Sequence, residues 1–294
     1  MNWVAAKVHF TSDNPEQTED LVSNIFYEFD LQGVVVAEAS VTGYFPLDER
    51  LDNQRHLLES ALLKLKQEIS FDYQVDYTET AEEDWAESWK AFFKPERIGR
   101  RLVVKPTWEL YESRPADVIL EIDPGMAFGT GTHPTSALCL ETIESYLKPG
   151  DSFLDMGTGS GILMVAAARL GAKRLVGIDK DPVAVKIAKK NMKINRIPEE
   201  IYQVKIGNLT RDIDDRFDMV AANILTEVIL NLLDDLNEVV AENGTIILSG
   251  ITESKKHLVH EKMAEKGILE VETRLRDSWA VIVGTVQSNV KIKI

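Results

Sequence analysis

Three glycines at alternate positions, Gly157, Gly159 and Gly161, stand between two carboxylates, Asp155 and Asp179. Glycine tolerates left-handed backbone and lets a ligand lie against bare main chain, so such a run can hold a small molecule. Asp179 follows Gly157 by 22 residues. In nucleotide-binding α/β sheets an acid so placed, at the end of the second strand, accepts hydrogen bonds from two ribose hydroxyls.

The spacing narrows the ligand. A dinucleotide site uses G-x-G-x-x-G, with its pyrophosphate on a helix N-terminus. Here the turn is G-x-G-x-G and Asp155 precedes it. A carboxylate in that place repels a pyrophosphate and suits a cation. S-adenosylmethionine carries a sulfonium, an ammonium and a ribose, and no phosphate. The pattern favours a class I methyltransferase over a dehydrogenase, and the bland alternative is a tight turn without a ligand. Asp155, Gly157, Gly159 and Asp179 are therefore candidate cofactor residues.

Two further stretches could do chemistry. Asp123–Ser136, DPGMAFGTGTHPTS, is glycine- and proline-rich and reads as a loop, but lacks the G-x-x-x-x-G-K-[ST] phosphate signature. It could fold over the cofactor, with Phe128 against the sulfonium or adenine and the Thr135 and Ser136 hydroxyls on polar groups. Thr132 or His133 is expected to cap a helix starting at Pro134, a favoured first position; capping is the simpler role for His133, a general base the bolder one. Asn208 and Asn223 each follow or end an expected strand. Strand-end logic places Asn208 near the adenine. The Asn223 side-chain carbonyl could hold an amine by hydrogen bonding.

These residues need a framework to position them. Ser152–Met156, Ile162–Leu170 and Leu175–Ile178 read as strand, buried helix and strand. Beyond Asp179 the pattern predicts helix Asp181–Ile194, strand Tyr202–Ile206, strand Phe217–Ala222, helix Glu227–Val240 and strand Thr245–Ser249. A helix over Lys255–Lys266 and strands Leu269–Leu275 and Ala280–Val286 complete it, the last two as an antiparallel pair. Seven strands from Phe153 onward match a class I methyltransferase sheet. Upstream, Trp3–Phe10, Pro15–Phe29, Val34–Ala39, Val41–Leu47, Asp52–Glu68 and Phe71–Tyr77 alternate as β-α-β-β-α-β, a ferredoxin-like order. Asn14 is the cap signal for the first helix. Ile98–Val104 and Val118–Ile122 read as strands leading into the second domain. The expected organisation is a ferredoxin-like recognition domain (1–80), a connector (81–97) and an α/β, Rossmann-like catalytic domain (98–294). In the connector, Trp85 and Trp89 share one helix face; packing is the simpler reading and an aromatic platform for a cationic side chain the alternative.

Bulk properties agree. The chain of 294 residues holds one cysteine and five scattered histidines, with no Cys/His cluster at metal-ligand spacing. Cys139 lies in an apolar run and is expected to be a buried helix residue. A lone cysteine fits a reducing cytosol, and neither a signal peptide nor a membrane span is expected. The net charge is −15; residues 1–80 carry 15 Asp and Glu against 5 Lys and Arg, a net of −10. Such a domain repels phosphate backbones and attracts basic partners, unless its charge is merely a solvated face.

The loop DPGMAFGTGTHPTS, the turn LDMGTGSGIL, Asp179, the strand end AANIL and the connector DWAESWK together resemble the PrmA family, over the whole chain. That family comprises methyltransferases of the large-subunit ribosomal protein numbered eleven. The resemblance implies transfer from S-adenosylmethionine to lysine side-chain amines and an N-terminal amine, and an N-terminal domain that docks the substrate and moves relative to the catalytic one. It carries cofactor contacts onto Phe128, Thr135 or Ser136, Gly157, Asp179 and Asn223. Amino-methyltransferases with N-P-P-[YF] use an asparagine where Asn223 stands; Ile224 and Leu225 replace the prolines, a departure expected to widen the acceptable substrate. An RNA or small-molecule methyltransferase, or a silent S-adenosylmethionine-binding protein, are the alternatives.

Overall fold

The computed structural model describes residues 3–27, 29, 34–37, 39–80, 93–123, 131 and 133–286. Two compact units divide the chain, the second beginning at Pro95.

In the first unit, β1 (Trp3–Ser12), α1 (Pro15–Tyr27), β2 (Val34–Ala37), β3 (Ser40–Pro46), α2 (Leu51–Glu68) and β4 (Phe71–Thr80) follow in order. The strands lie side by side as β2-β3-β1-β4, every neighbouring pair antiparallel. This is the split βαβ arrangement that the sequence pattern implies. Strand alternation puts Val4, Ala6, Val8 and Phe10 on one face, where they pack with Val22 and Phe26 of α1 and Leu58 and Leu62 of α2. The α1 N-terminus is capped as expected: the Gln17 N–H donates to Asn14 Oδ1 at 3.4 Å.

The second unit opens with β5 (Glu96–Ile98), β6 (Leu102–Lys105) and β7 (Val118–Glu121), a separate small sheet. After α3 (Pro134–Tyr146) comes the main run: β8 (Ser152–Met156), α4 (Ile162–Arg169), β9 (Arg174–Asp179), α5 (Pro182–Ile194), β10 (Tyr202–Ile206), β11 (Phe217–Asn223), α6 (Thr226–Leu232), α7 (Leu236–Val239), β12 (Val240–Thr252), α8 (Lys256–Glu265), β13 (Ile268–Arg276) and β14 (Trp279–Val286). The sheet order is β10-β9-β8-β11-β12-β14-β13. Strands β10 to β12 are parallel, and β14 enters antiparallel between β12 and β13. Period-two alternation sends Phe153 to one core with α3, α4 and α5, and Leu154 and Met156 to a second core with α6 and α8. The direction of winding reverses between β8 and β11, so the carboxyl ends of β8, β9 and β11 form the switch-point crevice where ligands bind.

Two elements differ from the sequence pattern. Ile98–Val104 is not one strand but the hairpin β5–β6, turning at Gly99–Arg101. The turn is held by Glu144 of α3, whose side chain is 2% exposed. Its carboxylate accepts the backbone N–H groups of Arg100 and Arg101 at 2.8 and 2.9 Å. Nor is Glu227–Val240 one helix. It breaks at Leu233–Asp235, where Asp234 is drawn to Lys262 and Lys266 at 3.0 and 2.8 Å, and Val240 already pairs with Phe217 as strand.

Glu144→Ala strands two turn N–H groups that a charged acceptor now satisfies, and should cost about 2–3 kcal/mol. Glu144→Gln keeps an acceptor oxygen and should lose less. Urea unfolding of the three proteins ranks them; equal midpoints would show that the turn holds itself.

Candidate active site

The strand–turn–helix at β8 builds the floor of the crevice. The N–H groups of Gly157 and Thr158 both donate to the Ile178 carbonyl, at 2.8 and 3.0 Å, so the turn is tied to the neighbouring strand β9. Gly157 has φ +72°, and a Cβ there would lie 2.4 Å from Ile224 Cγ2. No other residue fits that conformation in that space. At the end of β9, the Asp179 carboxylate accepts the Gly159 N–H at 2.9 Å on Oδ2 and the Asp181 N–H at 3.0 Å on Oδ1. Each oxygen keeps a lone pair, so the fixed carboxylate can still accept from a vicinal pair of hydroxyls.

Asp155 is 1% exposed. Thr158 Oγ1 donates to its Oδ2 at 2.7 Å, while Oδ1 has no partner among the described residues. Burial is the main cause that pushes its carboxyl up to about 7; the nearby Asp179 charge adds to this, against the Thr158 hydrogen bond. Two acids around one glycine turn do not fit a pyrophosphate. They do fit a ligand with a cationic end and a ribose.

A second wall comes from the α3 N-terminus. His133 is its N-cap, and Nδ1 accepts the Thr135 N–H at 3.3 Å. Nδ1 is therefore unprotonated, and the Thr135 hydroxyl 2.8 Å away donates to it as well. Burial holds the imidazole down, to about 4, and its ring meets Trp279 edge-on at 5.3 Å. His133 caps, as the simpler reading of the sequence has it, and a base with its acceptor nitrogen doubly engaged is not poised to take a proton.

Asn223 ends β11 in register with Ser249 of β12. Its Nδ2 donates to Ser136 Oγ at 3.4 Å, and Ser249 Oγ donates to the Thr135 carbonyl at 3.3 Å. The structure thus gathers Thr135, Ser136 and Asn223 at one place, and Asp155, Gly157, Gly159 and Asp179 at another across the same strand ends. Asn208 lies just past β10, beside Gly207, whose N–H donates to the Asp179 carbonyl at 3.0 Å. Phe128 lies outside the described residues, as do Trp85, Trp89 and Thr132. Cys139 is fully buried on α3 with its thiol pushed up to about 12 by burial, so it is inert at neutral pH.

The sequence marks Ile224 and Leu225 after Asn223 only as a departure from N-P-P; the structure shows how Ile224 is held. Ile224 donates its N–H to the Ser249 carbonyl at 3.1 Å, prolonging the strand by one residue. A proline could not make that bond. Its side chain fills the space over Gly157, and its backbone passes so close to Gly250 that a Cβ there would sit 2.2 Å from the Ile224 oxygen. Thr158, Gly250 and Trp279 are residues around the candidate site that pattern reasoning missed, as is the packing role of Ile224. Only Gly250, a glycine breaking an apolar strand, carried a local signal. No group of three potential metal ligands occurs among the described residues, nor any helix long and apolar enough to cross a membrane.

Comparison with known proteins gives a consistent result. The family described as ribosomal protein L11 methyltransferase (PrmA) matches residues 2–287. A ribosomal protein L11 methyltransferase of Desulfosudis oleivorans is 41% identical over 297 aligned residues, covering 96% of this chain and 98% of the relative. One from Desulforapulum autotrophicum is 39% identical, covering 96% and 99%. The crystal structure of a ribosomal protein L11 methylase from Lactobacillus delbrueckii subsp. bulgaricus superposes with a TM-score of 0.63 at 30% identity, covering 67% of this chain and all of that one. The chain belongs to the ribosomal protein L11 methyltransferase (PrmA) family. It is a class I methyltransferase, and its cofactor is S-adenosylmethionine.

Asp155 is expected to give cofactor binding a pH dependence. A buried carboxyl near 7 is neutral in acid, and a cationic ligand favours its ionised form, so binding releases a proton. Affinity for S-adenosylmethionine should rise with pH and level off above 7, being about tenfold weaker at pH 6 than at pH 8. Calorimetric titration across that range should show the slope in the wild type and a flat profile in Asp155→Asn. In Asp179→Ala the loss at pH 8, where Asp155 is ionised, should be ~1.5–3 kcal/mol; an unchanged dissociation constant would remove Asp179 from the ribose.

Proposed function

We propose that this member of the PrmA family methylates lysine side-chain amines and an N-terminal amine of ribosomal protein L11. The observation that carries the reading is Asn223, held at the end of β11 with its amide nitrogen on Ser136. With Nδ2 so engaged, Oδ1 is the end of the amide left to accept an N–H from an incoming amine. The names of the relatives supply the substrate protein.

The remaining roles follow from the chain's own groups. Asp179 binds the ribose hydroxyls, Asp155 faces the cationic end of the cofactor, and Gly157 and Gly159 present bare backbone to it. The sulfonium supplies a methyl group already activated for displacement. What the protein must add is alignment of a neutral amine and exclusion of water. An ordinary lysine amine titrates near ~10.4. His133 is committed to capping, so desolvation is what lowers that value. Ser136 acts through Asn223, and Thr135, whose hydroxyl donates to His133, keeps only acceptor capacity for the cofactor. Phe128 is assigned to the sulfonium or the adenine, and Asn208 to the adenine.

The first unit is the recognition module. Its net charge of −10 over residues 1–80 favours a basic protein over RNA as the partner. The enzyme acts in the cytoplasm, where its substrate is made, without binding nucleic acid or membrane directly.

Incubation of purified ribosomal proteins with labelled S-adenosylmethionine, resolved by mass, tests this directly. Label on L11, at amines, is the expected result; no label on any protein, with cofactor binding intact, would overturn it. Asn223→Ala should lose turnover by about 10²-fold, the scale of a misplaced reactant, while binding the cofactor nearly as well. Unchanged turnover would remove Asn223 from the amine site.

A further inference from the structure

Leu225 is a large apolar side chain, 55% exposed, two residues beyond Asn223. It occupies the N-cap of α6, with φ −57° and ψ 144° and no side-chain capping bond. Leucine is among the poorest residues for that place, where Ser, Thr, Asp or Asn would accept a free helix N–H. The Leu225 side chain makes no capping bond and lies outside the buried core.

Its placement is nonetheless fixed. Ile224 is anchored through its N–H to the Ser249 carbonyl and wedged over Gly157 and Gly250. Ile224 packs its side chain into the core on the α6 side of the sheet. The strand ends at Asn223 and the chain bends at Ile224. Asn223 and Leu225 thus flank one anchored residue, a polar acceptor and an exposed apolar side chain two positions apart.

We propose that Leu225 is a specificity-determining residue, its side chain packing against the methylene stem of a lysine whose amine is held by Asn223. This rests on the amine-methylating function proposed above. A lysine ε-amine comes at the end of four methylenes, which an apolar side chain covers at the rim. An N-terminal α-amine has no such stem. Leu225 accordingly favours side-chain amines over the chain terminus and contributes little to the methylation of the latter.

The discriminating variant is Leu225→Asn, similar in size and a favoured cap. Wild type and variant would each be given L11 and S-adenosylmethionine, and initial rates of ε-amine and α-amine methylation would be read peptide by peptide by mass spectrometry. The ratio of ε- to α-methylation should fall by roughly tenfold in the variant, the scale of a lost apolar contact in substrate discrimination. Melting temperature should stay level or rise, and the cofactor dissociation constant should not change. An unchanged ratio, or equal loss at both kinds of amine, overturns the proposal, provided that Asn223→Ala in the same assay loses turnover. Should the wild type label no amine of L11, the functional reading fails first and this inference with it.

Discussion

One steric fact organises the second unit: the backbone and side chain of Ile224 occupy the space that side chains at Gly157 and Gly250 would need. Interiors are packed at crystal-like density, so an intrusion of this kind fixes relative positions to a fraction of an ångström. Gly157 belongs to the turn assigned to the cofactor, Gly250 to the neighbouring strand β12, and Ile224 follows the residue assigned to the amine. On these assignments the donor and acceptor ends of the reaction are set against each other by van der Waals contact. The N–H bond from Ile224 to Ser249 adds a directional lock. An N-P-P arrangement would forgo that lock, which makes the departure from it in this chain a structural choice with a visible return.

Burial decides what the titratable groups near the site can do. His133 and Asp155 are both withdrawn from water, and in each case the charged form is the one disfavoured. For the histidine this leaves a neutral ring whose acceptor nitrogen serves the helix end. For the aspartate it leaves a carboxyl ready to ionise when positive charge arrives. Removal from solvent thus gives one group a structural task and the other an electrostatic one.

The parts of this molecule that were legible in the sequence are those whose causes are local. The strand–turn–helix–strand around Gly157 and Asp179, the cap at Asn14 and the proline start of α3 each depend on residues within one or two turns of chain. The β-α-β-β-α-β order of the first unit was readable because each element shows its own period. What escaped has partners far away in sequence. The Gly99–Arg101 turn looks like continuous strand until Glu144 reaches across from α3. The apolar spacing of 227–240 continues through Asp234, and only Lys262 and Lys266 explain the break. The Ile224 wedge needs Gly157 and Gly250 together, and Trp279 comes to His133 only once the antiparallel pair is in place. Of the candidate residues, the sequence located those on strand ends and said nothing of how their side chains are held.

The antiparallel insertion of β14 between β12 and β13 bears on how the chain comes to be folded at all. Strand β13 precedes β14 in the chain yet meets the sheet only through it. During vectorial synthesis β12 presents an unpaired apolar edge until residues 279–286 emerge. The same late strand brings Trp279 to His133 at the head of α3. Closure of the sheet and completion of that wall therefore depend on one and the same strand.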